Sequence, residues 1–238
     1  MTRSPLLEIW HGFVHLLYPL LCVGCNRELP AGNACFCVRC RLRLEPTDHL
    51  LHQENEFTNR FWGRLPLHTG AAMFYFRRKS PVQQALHQLK YKDKPDVGQR
   101  LGRELGRQIA GAAHLSNLDG IIPIPLHRQK ERVRGYNQSA VFAQGIADTL
   151  EIPTLPQLLQ RPAFTETQTQ KKRLDRFENV RAVFHTLRPD LLAGRHILLV
   201  DDVLTTGATM EAAAQTLLDA GVGKISMATI AIAVNRGY

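Results

Sequence analysis

One stretch limits what this chain can fold into more than any other: His196-Ile197-Leu198-Leu199-Val200-Asp201-Asp202-Val203-Leu204-Thr205-Thr206-Gly207-Ala208-Thr209-Met210. Four apolar residues, Ile197 to Val200, read as a strand buried on both faces, the habit of parallel sheets. Two adjacent carboxylates, Asp201 and Asp202, end it. A Thr/Gly turn follows, and Met210 to Leu218 reads as an Ala-rich helix closed by Gly221. A strand, an acidic pair, a small-residue loop and a helix N-terminus, in that order, predict a ligand at the carboxyl end of an open parallel sheet.

The residue types say what that ligand is. A loop of Thr205, Thr206, Gly207, Ala208 and Thr209 leaves backbone N–H groups free beside hydroxyls, and the helix start adds favourable partial charge, which suits a phosphate dianion. Gly207 lets backbone approach closely. Asp201 and Asp202 would repel phosphate, but they accept hydrogen bonds from hydroxyls and attract hard cations such as Mg²⁺. A sugar phosphate with vicinal hydroxyls and a bound metal uses every part.

The rest of the chain repeats the strand–helix unit. Ala71 to Phe76 reads as a strand, and Ser80-Pro81-Val82-Gln83 as a capped helix start. Asp96 and Gln99 predict a second capping box, with Val97, Leu101, Leu105 and Ile109 on one stripe. Asp119 to Ile124 reads as another buried strand. It feeds a loop from Pro123 to Ser139 and then a helix from Ala140 to Leu150. That loop carries Arg128, Lys130, Arg132 and Arg134 against Glu131 alone, and guanidinium forks suit a pyrophosphate. Ile152 to Leu159 and Lys224 to Val234 read as strands. Between them Arg161 to Phe184 is long, polar and basic, which predicts a mobile lid. Alternating strands and helices imply an α/β fold with a mainly parallel sheet.

All five cysteines fall between Cys22 and Cys40. Two C-x-x-C knuckles, Cys22/Cys25 and Cys37/Cys40, match tetrahedral Zn²⁺ coordination, and four thiolates would make the ion structural. Cys35 is surplus and is an alternative to Cys37. Before the knuckles, Leu6, Leu7, Trp10, Phe13, Val14 and Leu17 recur at helical spacing. After them, Leu44 to Pro66 is polar and without period, and reads as a linker or a variable surface segment, with His49, His52 and His68 expected to be exposed. The expected organisation is therefore residues 1–65 as helix plus zinc module and 66–238 as the ligand-binding domain. The apolar run Phe13 to Val23 is too short and broken to span a membrane, and a cytoplasmic protein is expected. The net charge of +9 favours phosphates, nucleic acid or an anionic membrane surface as partners.

At every position Val200 to Thr209 resembles the 5-phosphoribosyl-1-pyrophosphate (PRPP) signature of type I phosphoribosyltransferases. In that family the acidic pair contacts the ribose hydroxyls and the loop holds the 5′-phosphate. The resemblance implies catalytic roles for Asp201 and Asp202, and PRPP contacts from Val203, Leu204, Thr205, Thr206, Gly207, Ala208 and Thr209. Arg128, Lys130 and Arg134 would neutralise the pyrophosphate. In order along the chain, the paired knuckles, Leu89-Lys90-Tyr91-Lys92, Pro123-Ile124-Pro125-Leu126-His127, Arg134-Gly135-Tyr136-Asn137-Gln138-Ser139 and the PRPP motif are similar to the ComF/GntX family. That resemblance implies a type I phosphoribosyltransferase fold preceded by a zinc-binding module with four cysteine ligands. It also implies a link to natural competence, with PRPP, single-stranded DNA and the DNA-uptake machinery as partners. The zinc module is expected to take the place of the hood that recognises the acceptor in phosphoribosyltransferases. Three activities stay open at this point: an Mg²⁺-dependent transferase, a non-catalytic competence factor that binds single-stranded DNA through basic loops and Tyr136, Phe164 and Phe177, or a PRPP-sensing regulator.

Overall fold

The computed structural model describes residues 19–30, 34–161 and 184–234. The helix expected over Leu6 to Leu17, most of the expected lid between Arg161 and Phe184, and Phe164 and Phe177 within it lie outside these residues. In chain order the elements are α1 (Val38–Arg41), α2 (Glu56–Asn59), β1 (Thr69–Phe76), α3 (Pro81–Tyr91), α4 (Pro95–Ala110), β2 (Gly120–Pro123), α5 (Arg128–Arg134), α6 (Gln138–Leu150), β3 (Leu159–Gln160), β4 (His185–Thr186), β5 (His196–Leu204), α7 (Ala208–Asp219) and β6 (Lys224–Ala233).

Four strands form one sheet in the order β1–β6–β5–β2, and every neighbouring pair is parallel. The apolar runs account for this. Ile197 to Val200 are all fully buried, as are Ile230 to Ile232 of β6, so both strands need cover on both faces. One layer is built by α3, α4 and α6, whose Leu86, Leu89, Leu101, Leu105, Phe142 and Ile146 pack with Leu198 and Val200. The other holds Phe57, Phe61, Met210 and Leu217 against Ile197 and Leu199. Helices α4 and α6 touch backbone to backbone. A Cβ on Gly145 would lie 2.2 Å from the Gln99 carbonyl oxygen, and one on Gly102 would lie 2.2 Å from that of Phe142. This contact fixes the N-terminus of α6 beside the end of β5. Among the described residues no helix is long and apolar enough to cross a membrane.

Several local expectations need correction. Strand β5 does not end at the acidic pair; it continues to Leu204, with Asp201 opposite Thr229 and Val203 opposite Ala231 of β6. Sheet hydrogen bonding outlasts the apolar run because β6 is longer. The basic stretch after β2 is not a continuous loop, since α5 forms within it and α6 begins at Gln138. Helix α4 starts at Pro95 with Lys94 as its N-cap, so Asp96 sits in the first turn and caps nothing. Ile152 to Leu159 holds a bridge from Thr154 to Ile121, then a 3₁₀ turn, and only its last residue, Leu159, enters β3. Pro153 and Pro156 break any ladder there.

The stretch expected to be a linker is packed. Asn55 caps α2 with a full capping box, Phe57 and Phe61 are fully buried, and Pro46 bridges to Phe74 of β1. His49 is buried too, its Nδ1 accepting from the Ala72 amide at 3.2 Å and its ring set edge-on to Phe57 and Tyr75. Two aromatic anchors suffice to dock a polar segment that has no repeating pattern.

Candidate functional site

The acidic pair stands at the carboxyl end of the sheet, and helices of a single layer hold both members. Ser139, in the first turn of α6, donates its hydroxyl to Asp201 Oδ1 at 2.8 Å. The Asp202 amide donates to the same oxygen, also at 2.8 Å. Burial, and then the neighbouring Asp202 charge, push the Asp201 carboxyl up to about 7. Asp202 is 9% exposed and its Oδ2 lies 2.8 Å from Nζ of Lys90, in the last turn of α3. Among the described residues Asp201 Oδ2 and Asp202 Oδ1 have no hydrogen-bond partner. These two hard oxygens suit vicinal hydroxyls. They also suit an Mg²⁺ that takes one or two carboxylates and completes its shell with water and ligand phosphate.

The loop beyond β5 has the form expected of a phosphate cradle. Gly207 adopts φ +86°, a left-handed conformation that favours glycine, and it caps α7 without a side-chain acceptor. The opening amides of α7 thus stay available, apart from that of Ala208, which leans on Thr206 Oγ1 at 3.4 Å. Asp201 and Val203 to Met210 line a small cavity of about 40 Å³ there. Thr205, Thr206, Ala208 and Thr209 are exposed, whereas Gly207 is buried.

What stiffens this loop comes from the supposed linker. Arg60 donates to the Thr205 carbonyl at 2.7 Å and also to the Ala233 carbonyl at the end of β6. The Phe61 ring lies 3.0 Å from where a Gly207 Cβ would be. Arg64 pairs with Glu211 of α7 at 2.5 Å. None of these residues was singled out from sequence.

The basic segment is placed beside this site, but not in the same cavity. Helix α5 buries none of its residues; His127 Nδ1 caps it, accepting from the Gln129 amide at 3.3 Å. Lys130 is exposed. Arg128 lines a separate cavity of about 340 Å³ with Pro123, Pro125, Glu131 and Asn137. Arg134 sits over the Tyr91 ring at 5.4 Å and donates to Gln138 Oε1 at 2.7 Å. Tyr136 donates to the Leu89 carbonyl at 2.5 Å, and Asn137 Nδ2 donates to the Ile124 carbonyl at 2.9 Å. So the structure brings Asp201 and residues 203–209 to one cavity with Asp202 adjacent in the chain, and sets Arg128, Lys130 and Arg134 outside that cavity.

The cysteines resolve cleanly. The Sγ atoms of Cys22, Cys25, Cys37 and Cys40 all lie within 4.8 Å of one another, and those of Cys25 and Cys37 are 3.7 Å apart. A metal–sulfur bond of about 2.3 Å puts tetrahedral thiolates about 3.8 Å apart, so this set could hold one metal ion. The Cys37 amide donates to Cys22 Sγ at 3.2 Å, which steadies that sulfur. Cys35 stands apart. Its thiol donates to the Arg100 carbonyl at 3.4 Å, and burial pushes it up to about 11. The knuckles dock on the helical layer through Arg100, which donates to the Leu21 and Ala34 carbonyls, and Gln88, which donates to that of Val23.

Comparison with known proteins bears on the fold. Residues 137–238 match the phosphoribosyl transferase domain family. Competence protein F of Haemophilus influenzae is 26% identical over 224 residues, 91% of this chain and 92% of that protein. DNA utilization protein YhgH of Shigella flexneri is 31% identical over 150 residues, 62% of this chain and 65% of its own length. Competence protein ComFC of Bacillus subtilis is 35% identical over 101 residues, 42% of this chain and 39% of that protein. The architecture is the α/β fold of type I phosphoribosyltransferases, preceded by a cluster of four cysteines.

Proposed function

We propose that this chain, which belongs to the ComF family, binds PRPP with Mg²⁺ and transfers or recognises its phosphoribosyl group in cytoplasmic handling of DNA during uptake. The observation that carries this reading is the acidic pair with two oxygens unpartnered among the described residues, directly followed by the Gly207 loop. Asp201 and Asp202 would accept the ribose hydroxyls, and the amides and hydroxyls of residues 205–209 would hold the 5′-phosphate. The guanidinium groups of Arg128 and Arg134, with Lys130, would flank a diphosphate and stabilise charge on it as the C1–oxygen bond breaks. Mg²⁺, when bound, would offset part of that charge. The four clustered cysteines would hold Zn²⁺ as a structural ion, and the zinc module would take the place of the hood that recognises the acceptor.

A second reading, contact with single-stranded DNA, has its own support. Tyr91 is 66% exposed, with the His87 ring 5.1 Å away and the Arg134 guanidinium on its face, beside an exposed basic helix. Calorimetric titration with PRPP and Mg²⁺ tests the first reading. Binding by the wild type that is lost in Asp201→Asn/Asp202→Asn is expected, and pyrophosphate release in an acceptor screen would then report turnover. A folded wild type that binds no PRPP would refute it and leave the DNA reading.

A further inference from the structure

The PRPP reading leaves one short contact unexplained. Lys90 Nζ lies 2.8 Å from Asp202 Oδ2, with the two side chains only 26% and 13% exposed. The ammonium occupies a carboxylate that the ligand would need for a hydroxyl or a cation. A buried carboxylate without a partner is costly, so Lys90 stabilises the ligand-free site.

Lys90 also has somewhere to go. It is the penultimate residue of α3, and its two chain neighbours both touch the basic segment: Tyr136 donates to the Leu89 carbonyl, and Arg134 stacks on Tyr91. These contacts hold the end of α3 against the basic segment, so a diphosphate bound by that segment would be an alternative partner for the flexible Lys90 side chain. A lysine suits such a transfer, being a compact charge on a flexible stem, where an arginine fork would be locked by two-point pairing.

We propose that Lys90 is a transferable cation that selects for a 1-diphosphate: it blocks Asp202 until a ligand arrives whose diphosphate can take the ammonium away. This rests on the PRPP reading of the site. A ribose phosphate that lacks the diphosphate offers Lys90 no alternative partner, so it must compete with the ion pair. A divalent cation arriving alone meets the same block. Discrimination between PRPP and ribose 5-phosphate is thus built into one side chain.

The test measures three affinities in the full-length protein: Mn²⁺ alone by electron paramagnetic resonance, ribose 5-phosphate by calorimetry, and PRPP with Mg²⁺ by calorimetry. Removing a charge-assisted contact is worth about tenfold or more in affinity. In Lys90→Met, Mn²⁺ and ribose 5-phosphate should each bind about tenfold tighter, whereas PRPP, which loses the diphosphate contact but no longer has to break the ion pair, should change by less than about threefold, so the preference for PRPP over ribose 5-phosphate falls about tenfold. A merely structural role for Lys90 would move all three by a similar factor and leave that preference unchanged, and that result overturns the proposal. Lys90→Gln repeats the measurement should the methionine variant melt early. The wild type alone also decides it, because Mn²⁺ binding as tight without PRPP as with it overturns the block. A wild type that binds no PRPP overturns the site reading instead, and the Mn²⁺ comparison still reports on the ion pair.

Discussion

Asp201→Asn should stabilise the ligand-free protein, and the gain should depend on pH in a way that identifies its cause. The Asp201 carboxyl ordinarily titrates near 3.8 and is pushed up to about 7 here by burial and the Asp202 charge. Between those values the folded state holds a proton that the unfolded chain has released. Stability therefore falls as pH rises through that window and levels off above it. Roughly 3 pH units at about 1.4 kcal/mol each set an upper figure of about 4 kcal/mol. Asp201 retains intermediate exposure, and water access brings the expected cost to roughly 2 to 4 kcal/mol. Asparagine mimics the protonated acid: its Oδ1 can still accept from the Ser139 hydroxyl and the residue-202 amide. Urea unfolding of both proteins at several values between pH 5 and pH 8, without Mg²⁺, reads the difference. Titration of the cysteine cluster is common to both and cancels. The variant should gain on the wild type by about 1.4 kcal/mol per pH unit up to the Asp201 midpoint, which lies at about 7 or somewhat below, then by nothing more. Stability curves that stay parallel across this range would refute a raised Asp201, and with it the view that the site stores an unfavourable charge for its ligand to relieve.

Two further outcomes follow from the geometry. Phe61→Ala empties a fully buried site against Gly207 and should cost about 3 to 5 kcal/mol in thermal or urea unfolding, while weakening inorganic phosphate binding at the loop. Cys35→Ser should leave the zinc content of the purified protein unchanged, whereas Cys37→Ser should lower it, as read by atomic emission; equal loss in both would place Cys35 among the ligands.

Legibility in the sequence followed the range of the forces involved. The course of the loop after β5 could be read because the features that set it are local: an apolar run that demands burial on both faces, two carboxylates, and a glycine at the loop's left-handed position, Gly207. The cysteine knuckles were legible for the same reason, since two-residue spacing already fixes which sulfurs can share an ion, although only the fold could set Cys35 against Arg100. The partners of the acidic pair were not legible. Lys90 and Ser139 lie far from Asp201 and Asp202 in sequence, and what brings them there is the glycine-mediated closeness of α4 and α6 and the docking of α3 on the sheet. A lysine at a helix end looks solvated until the strand beneath it is known. The segment before β1 was misread for a related cause. Its two anchors, Phe57 and Phe61, are too few to make a period, yet each is fully buried, and Arg60 between them reaches both the phosphate loop and the end of β6. The stretch that looks least structured in sequence is therefore one that braces the loop after β5. Substitutions there should act on phosphate binding without touching the signature residues themselves.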